Sequence, residues 1–240
     1  MSIPKFYNSS RAEAREEFFR SRIEGSYDIN EFFFKLIFEN TQEGDRILDI
    51  GTGDAFVLEQ LARRYTNRYS ELCGLDNSEE MLSKARGRVK GLPIAVVLGD
   101  NFNLPFQSNY FNAVTAKNVT NFSESEVYRV LRKGGMFFFR EYGQGKGLIE
   151  IADLFRGRLI RAREPSFYIN RLEAVGFKNL LLKELFIKRS YSLEDILKII
   201  NMFPFLDEVR NEDVNAIKNY FKGRDRVDIT SDPIIITGRK

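Results

Sequence analysis

Carboxylates stand at the ends of short apolar runs, where the parallel strands of a sheet would present them together at one edge. They are Asp49, Asp76 and Asp100, and a fourth, Asp54, lies in the turn after the first run. Ionised carboxylates accept hydrogen bonds from hydroxyl and amino groups and attract cations. The pattern therefore predicts a ligand that carries hydroxyl groups and positive charge.

Two glycines, Gly51 and Gly53, form a turn between a predicted strand and a predicted helix in the segment LDIGTGDA. Glycine has no Cβ, so the backbone of such a turn approaches a ligand closely. Nicotinamide enzymes use a similar turn, and hydride transfer with a dinucleotide is therefore an alternative. Asp49 and Asp54 disfavour it, because a carboxylate near the helix N-terminus repels a pyrophosphate. Asp54 is either a helix cap or a ligand contact.

The two later carboxylates fit a nucleoside. Asp76 ends the second predicted strand, where an acidic side chain accepts hydrogen bonds from both ribose hydroxyls. The alternative is a turn residue before Ser78, which we expect to cap the next helix. Asp100 follows the third strand and is placed to accept from an adenine amino group, with Phe102 or Leu104 against the ring. The alternative there is an ordinary polar turn.

The amino-acid composition argues against several kinds of chemistry. The 240 residues include no histidine, so the commonest general base and metal ligand is absent, and we expect no metal site. The one cysteine, Cys73, lies in a predicted buried strand and is interpreted as a core residue. The net charge of +3 does not by itself indicate a nucleic-acid partner. No apolar run is long enough to span a bilayer, which predicts a cytoplasmic protein.

Strands and helices must alternate to bring these side chains to one edge, and the sequence does alternate. Strands are predicted at 47–50, 71–75, 94–98, 113–116, 136–140, 180–187 and 234–237. Helices are predicted at 9–22, 28–39 and 55–65, from Ser78 through Ala85, from Ser123 through Leu131, at 148–160 and 166–175, and within 192–222. This rhythm indicates an α/β, doubly wound, Rossmann-like sheet of seven mostly parallel strands with helices on both faces and an antiparallel last strand.

We expect one domain over residues 1–240. Within it, residues 1–44 form an N-terminal helical cap, and Tyr7 and Tyr27 are candidates to close over the ligand. Residues 45–141 form the ligand-binding core. Residues 142–164 and 190–226 are interpreted as insertions that shape the pocket of a second substrate, since long loops in compact domains are usually functional.

Four motifs in order make the sequence similar to a known family. They read ILDIGTGDAFVLEQLA at 47–62, GLDNSEEMLSKA at 74–85, GDNFNLPF at 99–106 and VYRVLRKGG at 127–135, followed by a weaker LEAVGF at 172–177. Together they resemble the class I methyltransferases that use S-adenosylmethionine (SAM), in particular the small-molecule branch related to ubiquinone and menaquinone biosynthesis. The resemblance covers about residues 45–141.

The resemblance implies a role for each residue of the predicted site. Asp49, Gly51, Thr52 and Gly53 would hold the methionine portion of SAM, with Lys117 or Asn118 beside it. Asp76 and Asn77 would hold the ribose, and Asp100, Asn101 and Phe102 the adenine. The implied reaction transfers a methyl group by in-line displacement to a small-molecule acceptor and leaves S-adenosylhomocysteine.

Three positions depart from the family pattern. Asn112 replaces the usual aspartate after an aromatic residue, and Lys133 replaces a proline. Thr120 and Asn121 stand where the family often has histidines, so the resemblance does not extend to the acceptor side. Without histidine, a base would have to be a carboxylate, tyrosine, lysine or cysteine.

The acceptor side is the least determined part of the sequence. Glu141 and Tyr142 follow the fifth strand and are either acceptor contacts or a surface turn. The basic segment 156–163 suggests an RNA or protein acceptor, although a solvated helix face is the simpler interpretation. A protein that binds SAM or its product without catalysis is a further alternative. The number of subunits is not readable from the sequence.

Overall fold

A computed structural model of the protein describes residues 29–119, 121–160, 162–203 and 205–240. The predicted helix at 9–22, most of the predicted cap at 1–44, and Tyr7 and Tyr27 lie outside the described residues. Thr120 and Arg161 do as well.

The described chain contains nine strands and eight helices. The strands are β1 (Arg46–Ile50), β2 (Glu71–Asp76), β3 (Ile94–Leu98), β4 (Phe111–Lys117), β5 (Leu131–Tyr142), β6 (Lys178–Glu184), β7 (Ile187–Ser192), β8 (Arg226–Ser231) and β9 (Pro233–Arg239). The helices are α1 (Ile29–Glu39), α2 (Phe56–Arg64), α3 (Glu79–Arg88), α4 (Glu124–Val130), α5 (Ile149–Asp153), α6 (Pro165–Ala174), α7 (Leu193–Met202) and α8 (Asn211–Phe221).

Seven strands form one sheet in the order β3-β2-β1-β4-β5-β9-β6. Strands β1 to β5 pair in parallel. Backbone hydrogen bonds join Gly134 to Lys240 near the start of β5 and Gly143 to Asp232 just past its end, so β9 runs antiparallel to β5. The predicted fold class, including the antiparallel last strand, is confirmed.

The central strands are buried on both faces, as strands of a doubly wound sheet must be. On one face, alternate residues such as Leu48 and Phe137 pack into a cluster with Val127 of α4 and Leu172 of α6. On the other face, Ile47 of β1, Thr115 of β4 and Phe138 of β5 are fully buried. This burial fixes the register, because a shift of one residue would exchange the two faces.

The described residues divide into two compact units. The larger contains 29–141, 165–183 and 234–240, and the smaller contains 142–164 and 184–233. The smaller unit has its own apolar core, formed by side chains of α5, α7, α8 and the antiparallel pair β7-β8. Both segments interpreted as insertions, 142–164 and 190–226, fall within this smaller unit.

Two predicted elements are wrong in extent. The helix predicted at 148–160 is only α5, since Gly157 has a left-handed φ of 83° and Ile160 donates its N–H to Phe205 instead of continuing a helix. The strand predicted at 180–187 is two strands. Leu185 donates its N–H to Pro233, and beyond that point the chain pairs with β8 in a separate sheet.

One arginine of the basic segment 156–163 forms an ion pair within the smaller unit. Arg158 donates two hydrogen bonds to Asp213 of α8, a carboxylate whose side chain is 3% exposed. The pKa of Asp213 is lowered by this hydrogen bonding. Arg156 pairs at 2.9 Å with Asp153 at the surface. Arg158 is therefore part of an internal ion pair, and the helix face predicted for this segment does not form.

The departure at Asn112 has a local cause at the amino end of the sheet. Its amide nitrogen donates to the Asp45 carboxylate, and its Oδ1 accepts the Arg46 N–H at 3.1 Å. Aspartate at 112 would have no donor to offer and would place a second negative charge against Asp45. The other substituted position, Lys133, is exposed.

The described helices are short. The longest, α1 and α8, have 11 residues each. None of the helices in the described ranges has the length and apolar character needed to cross a bilayer.

Candidate functional site

The glycine turn after β1 has a left-handed backbone at three positions. Gly51, Gly53 and Ala55 have φ values of 60°, 57° and 61°. A Cβ at Gly51 would lie 2.5 Å from Cγ2 of Val119, a distance that real contacts do not allow. The turn thus requires glycine at Gly51 both for its backbone angle and for its space.

Asp49 lies beneath this turn with 2% of its surface exposed. Its Oδ2 accepts the Thr52 hydroxyl at 2.8 Å, and its Oδ1 accepts the Thr115 hydroxyl of β4 at 2.6 Å. Burial raises the pKa of Asp49 to about 6, although both hydroxyls and the charge of Lys117 oppose the shift. The carboxylate therefore orients Thr52 from below and adds negative charge to the turn.

Asp76 connects the end of β2 to the glycine turn. Its Oδ2 accepts the Gly53 N–H at 2.8 Å, and its Oδ1 accepts the Ser78 N–H at 2.9 Å. Burial raises the pKa of this carboxyl. Each oxygen retains a second lone pair, which leaves acceptor capacity for two hydroxyl groups of a ligand. Asn77, between Asp76 and Ser78, is exposed.

Ser78 caps α3 as predicted, since its hydroxyl accepts the Met81 N–H at 3.3 Å. The alternative that Asp54 caps the helix after the glycine turn is wrong. Ala55 occupies the cap position of α2 without a side-chain bond. Asp54 instead accepts a hydrogen bond from Arg88 at 2.5 Å, and Arg88 also pairs with Glu59 at 3.0 Å. The positive charge of Arg88 weakens the repulsion between Asp54 and a bound anion. The argument against a pyrophosphate therefore depends on residues other than Asp54.

The turn after β3 exposes an aromatic ring. Asp100 Oδ1 accepts the Phe102 N–H at 2.9 Å, which shapes the turn. Phe102 is 56% exposed, while Leu104 is buried in the core. Within the described residues, the buried Oδ1 of Asn101 has no hydrogen-bond partner. A flat ligand with an amino group would meet both an apolar face and an unused acceptor here.

The end of β4 brings a cation toward the turn. The ammonium of Lys117 lies 5.0 Å from the centre of the Phe56 ring at the start of α2. Asn118 has a φ of 58°, and its N–H donates to the Arg140 carbonyl at 2.8 Å. Its Oδ1 accepts from the Arg140 guanidinium. Lys117 remains near Asp49, whereas Asn118 is engaged with β5.

At the end of β5, Glu141 is buried and Tyr142 is half-buried. The interpretation of Cys73 as core is confirmed, because it is 2% exposed and burial raises its thiol pKa to about 12. Two residues of the site were not identified from the sequence. Thr115 donates a hydrogen bond to Asp49, and Val119 fills the space beside Gly51. The signal for Thr115 was a polar residue inside the apolar run of β4.

The known proteins that this chain resembles are methyltransferases. Residues 47–135 match a family model described as a methyltransferase domain. A demethylmenaquinone methyltransferase from Symbiobacterium thermophilum is 39% identical over 112 residues. That alignment covers 41% of this chain and 43% of the relative, so the chain spans less than half of that protein's length.

Solved structures match over more of the chain. A candidate methyltransferase from Bacillus halodurans has a TM-score of 0.65 and 22% identity, and covers 87% of this chain and 98% of its own. Phosphoethanolamine N-methyltransferase 2 from Haemonchus contortus, in complex with SAM, has a TM-score of 0.65 and 18% identity, and covers 99% of this chain and 58% of its own. Residues 47–135 of this protein are therefore similar in sequence to a methyltransferase domain, and the sheet that they help to build has the same fold as these solved structures.

Proposed function

We propose that the protein is a SAM-dependent methyltransferase that acts on a small-molecule acceptor of the quinone class. The observation that carries the proposal is the position of Asp76 beside the glycine turn. The Gly53 N–H, which a dinucleotide fold would offer to a pyrophosphate, is already donated to Asp76. The same carboxylate keeps two lone pairs for ribose hydroxyls.

The remaining residues fit the other parts of SAM. Asp49, with Gly51, Thr52 and Gly53, supplies negative charge and close backbone for the positively charged methionine portion. Lys117 supplies a cation for its carboxylate, and Asn118 lies beside it. Asn77 would lie near the ribose. The exposed Phe102 ring and the free acceptor of Asn101 suit the adenine, with Asp100 shaping their turn.

When bound, SAM supplies a methyl group on a positively charged sulfur, which is already activated for displacement. What the chain must do is orient the acceptor atom and exclude water. An acceptor that keeps its proton at neutral pH needs a base, and in this chain we assign that role to Glu141 or Tyr142 at the end of β5. Both remain candidates for contact with the acceptor.

A quinone-class acceptor is supported by the comparison with a relative. The relative from Symbiobacterium thermophilum is a demethylmenaquinone methyltransferase. We further propose that the protein acts in the cytoplasm, which a single cysteine fits because reducing compartments keep thiols free.

Two measurements test the proposal. Thermal unfolding is followed with SAM, S-adenosylhomocysteine and NAD, and we expect stabilisation by the first two only, since a ligand stabilises the state it binds. Methyl transfer is then measured from labelled SAM to a short-chain demethylmenaquinone kept reduced. Stabilisation by NAD alone would overturn the cofactor assignment. Stabilisation by SAM with no transfer to any quinol would favour a binding protein without catalysis.

A further inference from the structure

Asp232, between β8 and β9, is a buried carboxylate that the proposed reaction does not use. It is 6% exposed. Its Oδ2 accepts the Gly145 N–H and its Oδ1 accepts the Gly147 N–H, both at 2.7 Å. Its own carbonyl accepts the Gly143 N–H at 2.9 Å. One residue thus receives three backbone N–H groups from the loop that follows β5.

The three glycines of this loop, 143–147, make the arrangement possible. A Cβ at Gly143 would lie 2.8 Å from Oδ2 of Asp232, and a Cβ at Gly145 would lie 2.9 Å from the same atom. Only glycine at these two positions lets the backbone surround the carboxylate. Burial raises the pKa of Asp232, and the N–H groups of Gly147 and Gly145 oppose the shift, as donors to an ionised carboxylate do.

The loop is also packed against Tyr142. A Cβ at Gly147 would lie 3.0 Å from Cε1 and 3.1 Å from Cδ1 of the Tyr142 ring. Gly147 therefore presents its bare backbone to the ring while its N–H is held by Asp232. A continuous series of contacts leads from the carboxylate, through Gly147, to the aromatic side chain at the end of β5.

We propose that Asp232 is a positioning residue for Tyr142, and that through Gly147 it fixes the tyrosine ring in the orientation that contacts the methyl acceptor. The part of this inference that concerns the acceptor rests on the proposed function. The part that concerns the loop does not, because the contacts between Asp232, Gly147 and Tyr142 exist whatever the reaction is.

The first test measures the loop without any activity. Asp232→Asn retains the side-chain volume but replaces one acceptor oxygen with an amide group that cannot accept. Asp228→Asn, the same change at an exposed position of β8, is the matched control. We expect faster hydrogen exchange at the Gly145 and Gly147 amides, and faster tryptic cleavage after Lys146, in the first variant only. Equal exchange and cleavage in the wild-type protein and both variants would overturn the proposal.

The second test separates positioning from general damage. For Asp232→Asn we expect the KM for reduced short-chain demethylmenaquinone to rise about tenfold, which is the loss of one charge-assisted hydrogen bond, with the SAM dissociation constant unchanged. Gly147→Ala, which pushes a methyl group against the ring while Asp232 is intact, should give the same result. A parallel loss of SAM affinity in both variants would contradict the role.

A double-mutant cycle completes the design. If Asp232 acts through the Tyr142 ring, Tyr142→Ala, which removes that ring, should remove most of the additional effect of Asp232→Asn, so the two changes are not additive. Full additivity would contradict the proposal. If the wild-type protein transfers no methyl group to the quinol, the proposed function fails by itself, while exchange and proteolysis still decide whether Asp232 holds the loop.

Discussion

The hydroxyl of Thr115 on β4 donates to Oδ1 of Asp49 on β1 at 2.6 Å, and the two residues are also register partners in the parallel sheet. The register therefore delivers the hydroxyl to a carboxylate that is buried almost completely. The hydrogen bond lowers the penalty of holding that group in the core but does not abolish it, because the pKa of Asp49 stays raised, at about 6.

This raised pKa predicts an unusual pH dependence of stability. The folded chain binds the Asp49 proton more tightly than the unfolded chain does, so this stabilisation is full below about pH 4 and is lost as the pH rises toward 6. Asp49→Asn should therefore increase the free energy of unfolding by about 3 kcal/mol near pH 7.5, and by less than about 1 kcal/mol near pH 4.

Urea unfolding at both pH values measures the effect, and Asp228→Asn serves as an exposed control. An Asp49→Asn variant that is no more stable than the wild-type protein near pH 7.5 would contradict the burial argument. The same variant should bind SAM more weakly, since it removes a negative charge beside the positively charged ligand.

Asp76→Ala should abolish SAM binding. It removes both acceptor oxygens for the ribose and leaves the N–H groups of Gly53 and Ser78 without their carboxylate. Two charge-assisted hydrogen bonds correspond to a loss of about 100-fold or more in affinity. Calorimetric titration measures it, with Glu80→Ala at an exposed position of α3 as the control. Unchanged affinity in Asp76→Ala would refute the ribose assignment.

Gly51→Ala should destabilise the fold by about 2–4 kcal/mol, because it adds a left-handed alanine and a clash with Val119. Gly87→Ala is a matched comparison with the opposite sign. No atom lies within 4 Å of a Cβ at Gly87 in α3, so alanine there should stabilise by about 0.5–1 kcal/mol. Thermal unfolding of both variants checks the pair, and a Gly51→Ala protein as stable as the wild type would show that the turn has room to move.

Arg158→Ala should lower stability, because it leaves the Asp213 carboxylate, whose side chain is 3% exposed, without its guanidinium. Arg156→Ala should change stability by less than about 0.5 kcal/mol, since Arg156 is 80% exposed. Chemical unfolding of the two variants distinguishes these roles.

If added bulk tRNA strongly inhibited transfer to the quinol at low salt but not at high salt, the RNA alternative would regain support.

The larger unit was predictable because its signals are local. Buried apolar runs predicted β1 to β5 to within a few residues, although β5 is longer than expected. Ser78 and Ser123 indicated the starts of the two helices that they cap. Each strand end then carried its polar residue to the same edge of the sheet. The site could be outlined because parallel strands all end on one side.

The misses depend on contacts between distant parts of the chain. Spacing placed Asp54 at a helix start but could not show that Arg88 reaches it from α3. The polar alternation of β7 resembles that of an exposed loop, and only pairing with β8, far along the chain, makes it a strand. The same holds for Asp232, whose partners lie in a loop that precedes it by about 85 residues.

The hydrogen bond from Leu185 to Pro233 closes the base of residues 186–232, so this stretch leaves and rejoins the main sheet at a single point. This stretch nevertheless depends on a second segment, because its apolar core includes α5 and its Asp232 holds the loop after β5. A change of side-chain volume in one of the two segments therefore has to be matched in the other if their common core is to stay packed.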